Sequence, residues 1–244
     1  MIVRTLTTRR RGLLAFVIAL LLCGCPEGPR AESKQSGETR SQNTTPDEAL
    51  SIRILALGDS LTAGYGLDDL SLAFPARLEG ELNASGMDVD VLDAGISGDT
   101  TAGGRSRLDW SLAENPDAVI VGLGGNDGLR ALDPDVTYDN LNAILARLQS
   151  EGLPVLLAGM MAPPNLGRDY GEQFFGVYKR LANEYDVVFY PFLLEGVAGE
   201  VDLNQADRIH PNPDGVNVMV GKILPFAQQL VKRAQKARAR DTAS

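Results

Sequence analysis

The 244-residue chain contains one histidine, and the residues around it are of the kind that activate a serine. His210 lies three residues after Asp207, in the segment Asp-Arg-Ile-His-Pro-Asn, and Ser60 follows Gly-Asp after a short apolar run far upstream. A serine hydroxyl becomes a nucleophile when an imidazole takes its proton and a carboxylate orients that imidazole. These three side chains could therefore form a catalytic triad, for which His210 is the only available imidazole.

Each of these residues also has a simpler interpretation. A lone histidine in a polar loop commonly has no chemical role, and Ser60 could be the N-cap of a helix, a position that serine favours. Gly98 could be a permissive turn glycine, and Asn126 could be a turn or cap residue. The catalytic interpretation therefore depends on whether several motifs occur together.

Four short blocks of sequence occur together in this chain. They are Gly-Asp-Ser-Leu at 58–61, Ser-Gly-Asp-Thr at 97–100, Gly-Gly-Asn-Asp at 124–127 and Asp-Arg-Ile-His at 207–210. Any one of them occurs by chance in many proteins, but the four in this order resemble the SGNH, or GDSL, hydrolase family. The resemblance covers roughly residues 51–232 and is strongest to the family's secreted thioesterase, lysophospholipase and arylesterase group.

The resemblance implies a role for each residue of the blocks. Ser60 is the nucleophile, His210 the general base and then general acid, and Asp207 the group that orients the imidazole. The oxyanion hole is formed by the backbone N–H groups of Ser60 and Gly98 and by the side-chain amide of Asn126. No cofactor or metal is required, and the substrate is a small-molecule acyl ester or thioester.

The roles expected for three further features come from the residues themselves and from the same resemblance. The loop that contains Pro163, Pro164, Asn165 and Leu166 resembles a family loop that lines the acyl pocket, but it could equally be an ordinary connection. Asp59 is expected to hold the Ser60 turn rather than to take part in the chemistry. Trp110 is expected to pack in the interior, because it lies at helical spacing from its neighbours on the chain.

Apolar runs and amphipathic stretches alternate from residue 51 onward, which predicts an α/β fold. The candidate strands are 52–57, 89–92, 118–123, 155–158 and 187–190, and the candidate helices are near 72–84, 100–114, 136–151, 171–185 and 213–236. Near-continuous apolar strands indicate a parallel sheet covered on both faces. The prediction is a three-layer α/β/α arrangement with a five-stranded parallel sheet, the flavodoxin-like SGNH hydrolase fold. All four blocks then lie at the carboxyl edge of the sheet.

The first 24 residues have the features of an export signal. Four arginines precede an apolar run at 13–22, which is shorter than the roughly 20 residues of a membrane-spanning helix. Leu-Cys-Gly-Cys at 22–25 resembles a bacterial lipobox with Cys25 as the lipid-bearing residue, although ordinary small-residue cleavage is the alternative. We therefore expect export to the periplasm and anchoring to a bacterial membrane through Cys25.

Composition divides the rest of the chain into three segments and disfavours two classes of partner. Residues 25–50 are polar and read as a flexible linker, 51–236 as the hydrolase domain and 237–244 as a disordered tail. Removal of residues 1–24 removes four arginines and no acid, so the net charge changes from −9 to −13. A surface this acidic disfavours nucleic acid and anionic lipid head groups, which leaves the lipid as the means of membrane attachment.

Two rival functions remain open at this stage. The same family includes carbohydrate O-deacetylases, although aromatic residues, which form platforms for sugars, are only 6% of this chain. A non-catalytic ligand-binding lipoprotein is the second rival, and it has no need for the His210–Asp207 pair. The sequence does not define the acyl chain, the leaving group, the oligomeric state or which membrane holds the anchor.

Overall fold

Five parallel strands form the centre of the structure, a computed structural model that describes residues 51–242. The strands are β1 (Ile52–Gly58), β2 (Val89–Gly95), β3 (Ala118–Gly122), β4 (Val155–Ala158) and β5 (Val188–Tyr190). Their order in the sheet is β2-β1-β3-β4-β5. The predicted five-stranded parallel sheet is confirmed. The predicted signal segment 1–24, the predicted lipidation site Cys25 and the predicted linker 25–50 lie outside the described residues.

Seven helices surround the sheet within the described region. They are α1 (Phe74–Ala84), α2 (Thr101–Ser106), α3 (Leu108–Leu112), α4 (Gly125–Leu129), α5 (Pro134–Ser150), α6 (Arg168–Glu184) and α7 (Pro213–Asp241). Helices α1 and α7 pack against each other, and α5 packs against α2 and α6. These two groups cover the sheet, which explains why its strands are apolar on both faces: every residue of β3 and β4 is buried.

The carboxyl ends of the three strands nearest the predicted site are aligned. β1 ends beside β2 and β3, with Gly58 paired to Gly95 and to Gly122. The direction of strand addition reverses at β1, since β2 lies on one side of it and β3 on the other. Open parallel sheets bind ligands outside the strand ends at such a switch point. Ser60 follows β1 and Asn126 follows β3, so both lie at this position.

The segment 100–114, predicted as one helix, forms two. α2 ends at Ser106 and α3 begins at Leu108, with Arg107 in a non-helical conformation between them. The Arg107 guanidinium bonds to Asp99, which follows β2, and to the carbonyl oxygen of Gly58 at the end of β1. The local sequence pattern does not indicate these bonds. On α3, Trp110 is 74% exposed, so the expectation that it packs in the interior is wrong.

The last helix is longer than predicted. α7 continues to Asp241, so the expected boundary at residue 236 and the disordered tail from 237 are corrected over residues 237–241. The guanidinium of Arg238 donates to Asp117 Oδ1 at 3.1 Å and to the Ser51 carbonyl oxygen at 3.0 Å, which fixes the end of the helix beside the start of β1. Basic residues also favour a helix C-terminus. No helix in the 51–242 region combines the length and apolarity needed to cross a bilayer.

Candidate active site

Ser60 lies in a tight turn directly after β1, and Asp59 holds that turn. The Leu61 N–H donates to Asp59 Oδ1 at 3.0 Å, and the Ala63 N–H donates to the Asp59 carbonyl oxygen at 3.0 Å. The Tyr65 N–H closes the turn on the Ser60 carbonyl oxygen at 3.1 Å. The structural role expected for Asp59 is confirmed by these bonds. None of the helices described between residues 51 and 242 begins at Ser60, so the N-cap interpretation does not hold.

The structure brings the three predicted triad residues into a continuous chain of hydrogen bonds. His210 Nε2 lies 2.9 Å from Ser60 Oγ, and His210 Nδ1 lies 2.6 Å from Asp207 Oδ2. The other carboxylate oxygen, Asp207 Oδ1, accepts the backbone N–H groups of Ile209 at 2.9 Å and His210 at 3.0 Å. The Asp-x-x-His turn therefore fixes both the carboxylate and the ring by short-range bonds.

Asp207 is held in its charged form. The hydrogen bond from His210 lowers the pKa of Asp207 to about 2, with help from the backbone N–H groups of Ile209 and His210. Because a carboxylate only accepts hydrogen bonds, His210 Nδ1 must donate to it. His210 Nε2 is then left with a lone pair that points to the Ser60 hydroxyl proton.

Two residues that the sequence analysis missed hold His210 in place. The ring of Tyr65 lies against the imidazole, with 4.6 Å between the ring centroids. Gln205 Nε2 donates to the Tyr65 carbonyl oxygen at 2.7 Å and to the Pro211 carbonyl oxygen at 2.9 Å, and its backbone N–H donates to the His210 carbonyl oxygen at 2.8 Å. Both residues lie within a few positions of predicted site residues, which is the only signal that pointed to them.

The three predicted oxyanion donors lie on the segments that follow β1, β2 and β3. Within the described chain, neither the Ser60 N–H nor the Gly98 N–H has a hydrogen-bond acceptor, so both are free to bind a ligand. Gly98 has φ of +87°, in the region that favours glycine, and Arg130 Nη2 donates to its carbonyl oxygen at 2.9 Å. Asn126 Nδ2 donates to the Asp99 carbonyl oxygen at 2.9 Å and to Asp59 Oδ2 at 3.3 Å.

Arg107 connects the Gly98 loop to the end of β1. Its Nε bonds to Asp99 Oδ2 at 2.7 Å, and its Nη2 donates to the Gly58 carbonyl oxygen at 2.8 Å. The side chains of Arg107 and Asp99 are only 12% and 19% exposed, so solvent screens this pair weakly. The break between α2 and α3 therefore places a guanidinium where it joins two parts of the site.

Asp127, the neighbour of Asn126, anchors α4 from the interior. Its fully buried carboxylate accepts the Thr101 N–H at 2.9 Å, the Thr101 hydroxyl at 2.5 Å and the Thr137 hydroxyl at 3.3 Å. Gly124 precedes α4 with φ of +112°, and a Cβ there would meet the Tyr178 hydroxyl at 2.0 Å. This part of the Gly-Gly-Asn-Asp block therefore requires a glycine and orients the helix that carries Asn126.

Asp59 is the buried ionisable group closest to this arrangement. Only 2% of its surface is exposed, and burial raises its pKa to about 6 although hydrogen bonds from Leu61 and Asn126 favour the charged form. Asp59 and Asn126 are thus coupled through one long hydrogen bond. A change in the charge of Asp59 changes the acceptor available to the Asn126 amide.

An apolar cleft of about 510 Å³ opens beside Ser60. Its apolar lining comes mainly from Leu61, Leu129, Met160, Met161, Ala162, Phe192, Leu194 and Ile209. Pro163 and Pro164 also line it, as predicted for the loop, whereas Asn165 and Leu166, although both are described, do not. These two residues lie on a single 3₁₀ turn, Pro164–Leu166, at which the chain leaves the cleft. No group of three or more His, Cys, Asp or Glu side chains in residues 51–242 is arranged to hold a metal ion.

Comparison with known proteins agrees with this site. The GDSL-like lipase/acylhydrolase family matches residues 56–218, a range that runs from the end of β1 to the start of α7 and contains the predicted triad, oxyanion and cleft-loop residues. The chain belongs to this family. It is a carboxylic ester hydrolase, and the resemblance inferred from the four blocks is confirmed.

Several known enzymes are similar to this chain over most of the described domain. The esterase TesA of Pseudomonas aeruginosa is 44% identical over 165 residues, which are 67% of this chain and 82% of TesA. Thioesterase 1/protease 1/lysophospholipase L1 of Escherichia coli is 41% identical over 162 residues, covering 66% of this chain and 76% of that protein. The crystal structure of AlinE4, an SGNH-hydrolase family esterase, has a TM-score of 0.62 and 46% identity, covering 73% of this chain and 96% of that one.

Proposed function

We propose that this protein is a serine esterase that hydrolyses carboxylic esters and thioesters through an acyl-enzyme. The observation that carries the proposal is the hydrogen-bonded chain from Ser60 Oγ through the His210 ring to Asp207, with distances of 2.9 and 2.6 Å. Ser60 also lines an apolar cleft, so an acyl group that is bound in the cleft lies beside the reactive hydroxyl.

In the acylation step, Ser60 Oγ attacks the carbonyl carbon of the ester while His210 Nε2 takes the hydroxyl proton. The positive charge that forms on the imidazole lies against the Asp207 carboxylate, which is ionised because its pKa is about 2. The tetrahedral intermediate then collapses, the bond to the alcohol or thiol breaks, and His210 returns the proton to the leaving group. The acyl group remains on Ser60.

The negative oxygen of that intermediate needs donors that carry no charge. The N–H groups of Ser60 and Gly98, which have no acceptor in the described chain, are available to meet this need. Asn126 Nδ2 supplies the third donor if one of its hydrogens turns from Asp59, whose 3.3 Å bond is the longer of its two. A donor of this kind contributes roughly 3 to 4 kcal/mol to lowering the barrier.

Deacylation repeats the same steps with water. His210 takes a proton from the water, the hydroxide oxygen bonds to the acyl carbon, and the bond to Ser60 Oγ breaks as the imidazole returns its proton. The products are the free acid and the regenerated serine. No other reactant is needed.

The lining of the cleft favours an acyl chain over a sugar. Phe192 is the only aromatic side chain among the described residues that line it, whereas the aliphatic side chains of Leu129, Met161 and Ile209 are 44 to 49% exposed around it. The carbohydrate O-deacetylase alternative needs flat aromatic platforms and therefore has less support. Thioester and lysophospholipid hydrolysis are included in the proposal because the Escherichia coli relative is named for both.

The proposal includes the site of action. The basic and apolar segment 1–24, with Leu-Cys-Gly-Cys at 22–25, supports export and lipid attachment at Cys25. The acidic composition supports attachment by acyl chains rather than by charge. We therefore place the enzyme in the periplasm, anchored to a bacterial membrane.

A Ser60→Ala variant tests the reaction directly. It should lose hydrolysis of 4-nitrophenyl esters while its circular dichroism spectrum and melting temperature stay close to those of the parent protein, because the Ser60 hydroxyl contributes little packing. An organophosphonate probe should label Ser60 in the parent protein, as mass spectrometry of the digested protein would show, and should not label the variant. Retention of more than a few per cent of the parent rate, or an adduct on another residue, would rule out Ser60 as the nucleophile.

A further inference from the structure

Arg208 has an unusual backbone conformation. It lies between Asp207 and His210 with φ of +60°, in the left-handed region that favours glycine. Its N–H donates to the Gln205 carbonyl oxygen at 2.9 Å, which makes the turn part of the ordered loop around His210. A non-glycine residue in this region is strained, and such residues concentrate at functional sites because the surrounding structure enforces them. A glycine would form the turn without strain, so the side chain of Arg208 needs an explanation.

Arg208 is exposed and is one of the residues that line the cleft that contains Ser60. Of the described residues that line this cleft, Arg208 is the only one that carries a positive charge. The one other charged lining residue is Asp59, which is buried and bonded to Leu61 and Asn126. No described carboxylate lies within ion-pair distance of the Arg208 guanidinium, and no described acceptor bonds to it.

The other arginines near the site are already bound. Arg107 is paired with Asp99, and Arg130 donates to the Gly98 carbonyl oxygen. Both contacts hold the loop that carries the Gly98 N–H. Arg208 has no comparable structural bond, so its five N–H donors are available to a molecule in the cleft.

The charge of the whole protein makes this cation more significant. The chain has a formal net charge of −9, which repels anionic substrates from most of its surface. At the cleft, the positive charge of a guanidinium attracts anions instead of repelling them. A guanidinium also binds a carboxylate or a phosphate through two parallel hydrogen bonds.

We propose that Arg208 is a specificity-determining residue that selects esters whose acyl or alcohol part carries a carboxylate or phosphate group. The inference rests on the proposed esterase function and defines its substrate class. The apolar lining then holds the uncharged part of the substrate, and the guanidinium at the cleft binds its anionic end.

Matched esters test the selection. The value of kcat/KM would be measured on two pairs of esters. In the first pair, 4-nitrophenyl valerate is the neutral partner of the 4-nitrophenyl monoester of glutaric acid. In the second pair, 4-nitrophenyl butyrate is the neutral partner of the butyrate ester of 5-hydroxy-2-nitrobenzoic acid. The first pair places a carboxylate on the acyl part and the second places it on the leaving group. We expect the anionic-to-neutral ratio for at least one pair to fall about ten-fold in Arg208→Gln, because a charge-assisted hydrogen bond is lost. The affected pair identifies the side of the substrate that Arg208 contacts.

Two controls make the result specific. Arg208→Lys should keep part of the ratio, because it retains the charge but not the planar fork. Arg233→Gln removes the same charge from α7, where Arg233 pairs with Asp186, and should leave the ratio unchanged. The ratio in the parent protein should also decline as salt is added.

The outcomes separate the two proposals. If the parent protein hydrolyses neutral esters through Ser60 but Arg208→Gln leaves both ratios unchanged, the assignment of Arg208 is overturned and the esterase function stands. If the parent protein hydrolyses none of the four esters, both proposals are overturned.

Discussion

The side-chain amide of Gln205 donates to the backbone carbonyl oxygen of Tyr65 at 2.7 Å, across a separation of 140 residues in the chain. The bond joins the loop after Ser60 to the loop that carries Asp207 and His210. The same amide group holds the Pro211 carbonyl oxygen, so the imidazole lies between a fixed backbone and the Tyr65 ring. The position of the general base thus depends on a residue that takes no part in the chemistry.

Removal of this brace should slow the reaction. We expect Gln205→Ala to lower kcat about ten-fold with little change in KM, because a small misplacement of a catalytic group is costly. His210 is the only histidine, so its ring signals can be followed by NMR without ambiguity, and they should broaden in the variant. Gln228→Ala, which removes a half-buried glutamine on α7 whose amide donates to Ser85 Oγ away from the site, is the matched control. An unchanged kcat with unchanged ring signals would show that Gln205 does not position His210.

The Asn126 amide should act on the barrier rather than on substrate binding. We expect Asn126→Ala to lower kcat by roughly two to three powers of ten with a smaller change in KM, because the oxyanion forms only near the transition state. Asn165→Ala is the matched control, since Asn165 lies outside the cleft. Steady-state kinetics of both variants on a neutral ester would check this. An effect confined to KM would make Asn126 a ground-state contact instead.

Asp59 should give the protein a distinctive pH dependence of stability. Its pKa is about 6 in the folded protein against an ordinary value of 3.8, so the folded state binds this proton more tightly than the unfolded state. The contribution of Asp59 to stability is therefore greatest below about pH 4, declines as the pH rises to about 6, and is constant above that. Relative to the parent protein, Asp59→Asn should be more stable at pH 7.5 than at pH 5, by about 1.4 kcal/mol, the equivalent of the one pH unit between pH 5 and the folded-state pKa.

Urea unfolding at both pH values would measure this shift. Asp169→Asn, at an exposed carboxylate, should show no comparable change between the two pH values. A difference of the same sign and size in both variants would mean that burial of Asp59 is not the cause.

The strained turn at Arg208 should cost stability. Replacement by glycine removes the penalty for φ of +60°, so Arg208→Gly should stabilise the folded protein by about 1 kcal/mol. For a domain of this size the melting temperature should rise by roughly 2 to 4 °C. Ala131 also has a positive φ, of 49°, and Ala131→Gly provides a comparison outside the cleft. A lower melting temperature for Arg208→Gly alone would show that the side chain supports the loop.

The proposed lipid anchor can be tested separately from the chemistry. Cys25→Ser should move the mature protein from the detergent phase to the aqueous phase without changing its rate on small soluble esters, because the predicted linker 25–50 would separate the proposed anchor from the domain. Metabolic labelling with a fatty-acid probe should mark the parent protein only. Failure of the probe to mark the parent protein would favour an ordinary signal peptide.

The sequence predicted the parts of the site that depend on local pattern. Ser60, Asp207 and His210 are found together because each lies in a short motif after a strand, and parallel strands bring such segments to one edge of the sheet. The parallel sheet was predicted from apolar runs such as 118–123, which are short and almost continuously apolar and therefore favour buried strands. The Pro163–Pro164 part of the loop also lies where the resemblance placed it.

The unpredicted parts depend on contacts between distant segments. Nothing in the spacing of Gln205 indicates that its amide reaches Tyr65, and nothing in the helical pattern of 100–114 indicates that Arg107 interrupts it to bind Asp99. Trp110 is of a type common in cores, yet α3 buries Leu108 and Ser111 against the rest of the domain and leaves Trp110 exposed to solvent. The end of α7 was missed because its last turns are held by Arg238 rather than by apolar periodicity.

The contact between Arg238 and Ser51 also bears on protein engineering. Ser51 begins the domain and Arg238 lies in its last helical turns, so the two ends of the fold are neighbours at the amino edge of the sheet, the length of β1 away from Ser60. A short peptide could join these ends, and new termini could be opened at an exposed turn such as the one at Gly86. The circular permutant, or the natural chain immobilised through either end, would keep the mouth of the cleft clear of the attachment point.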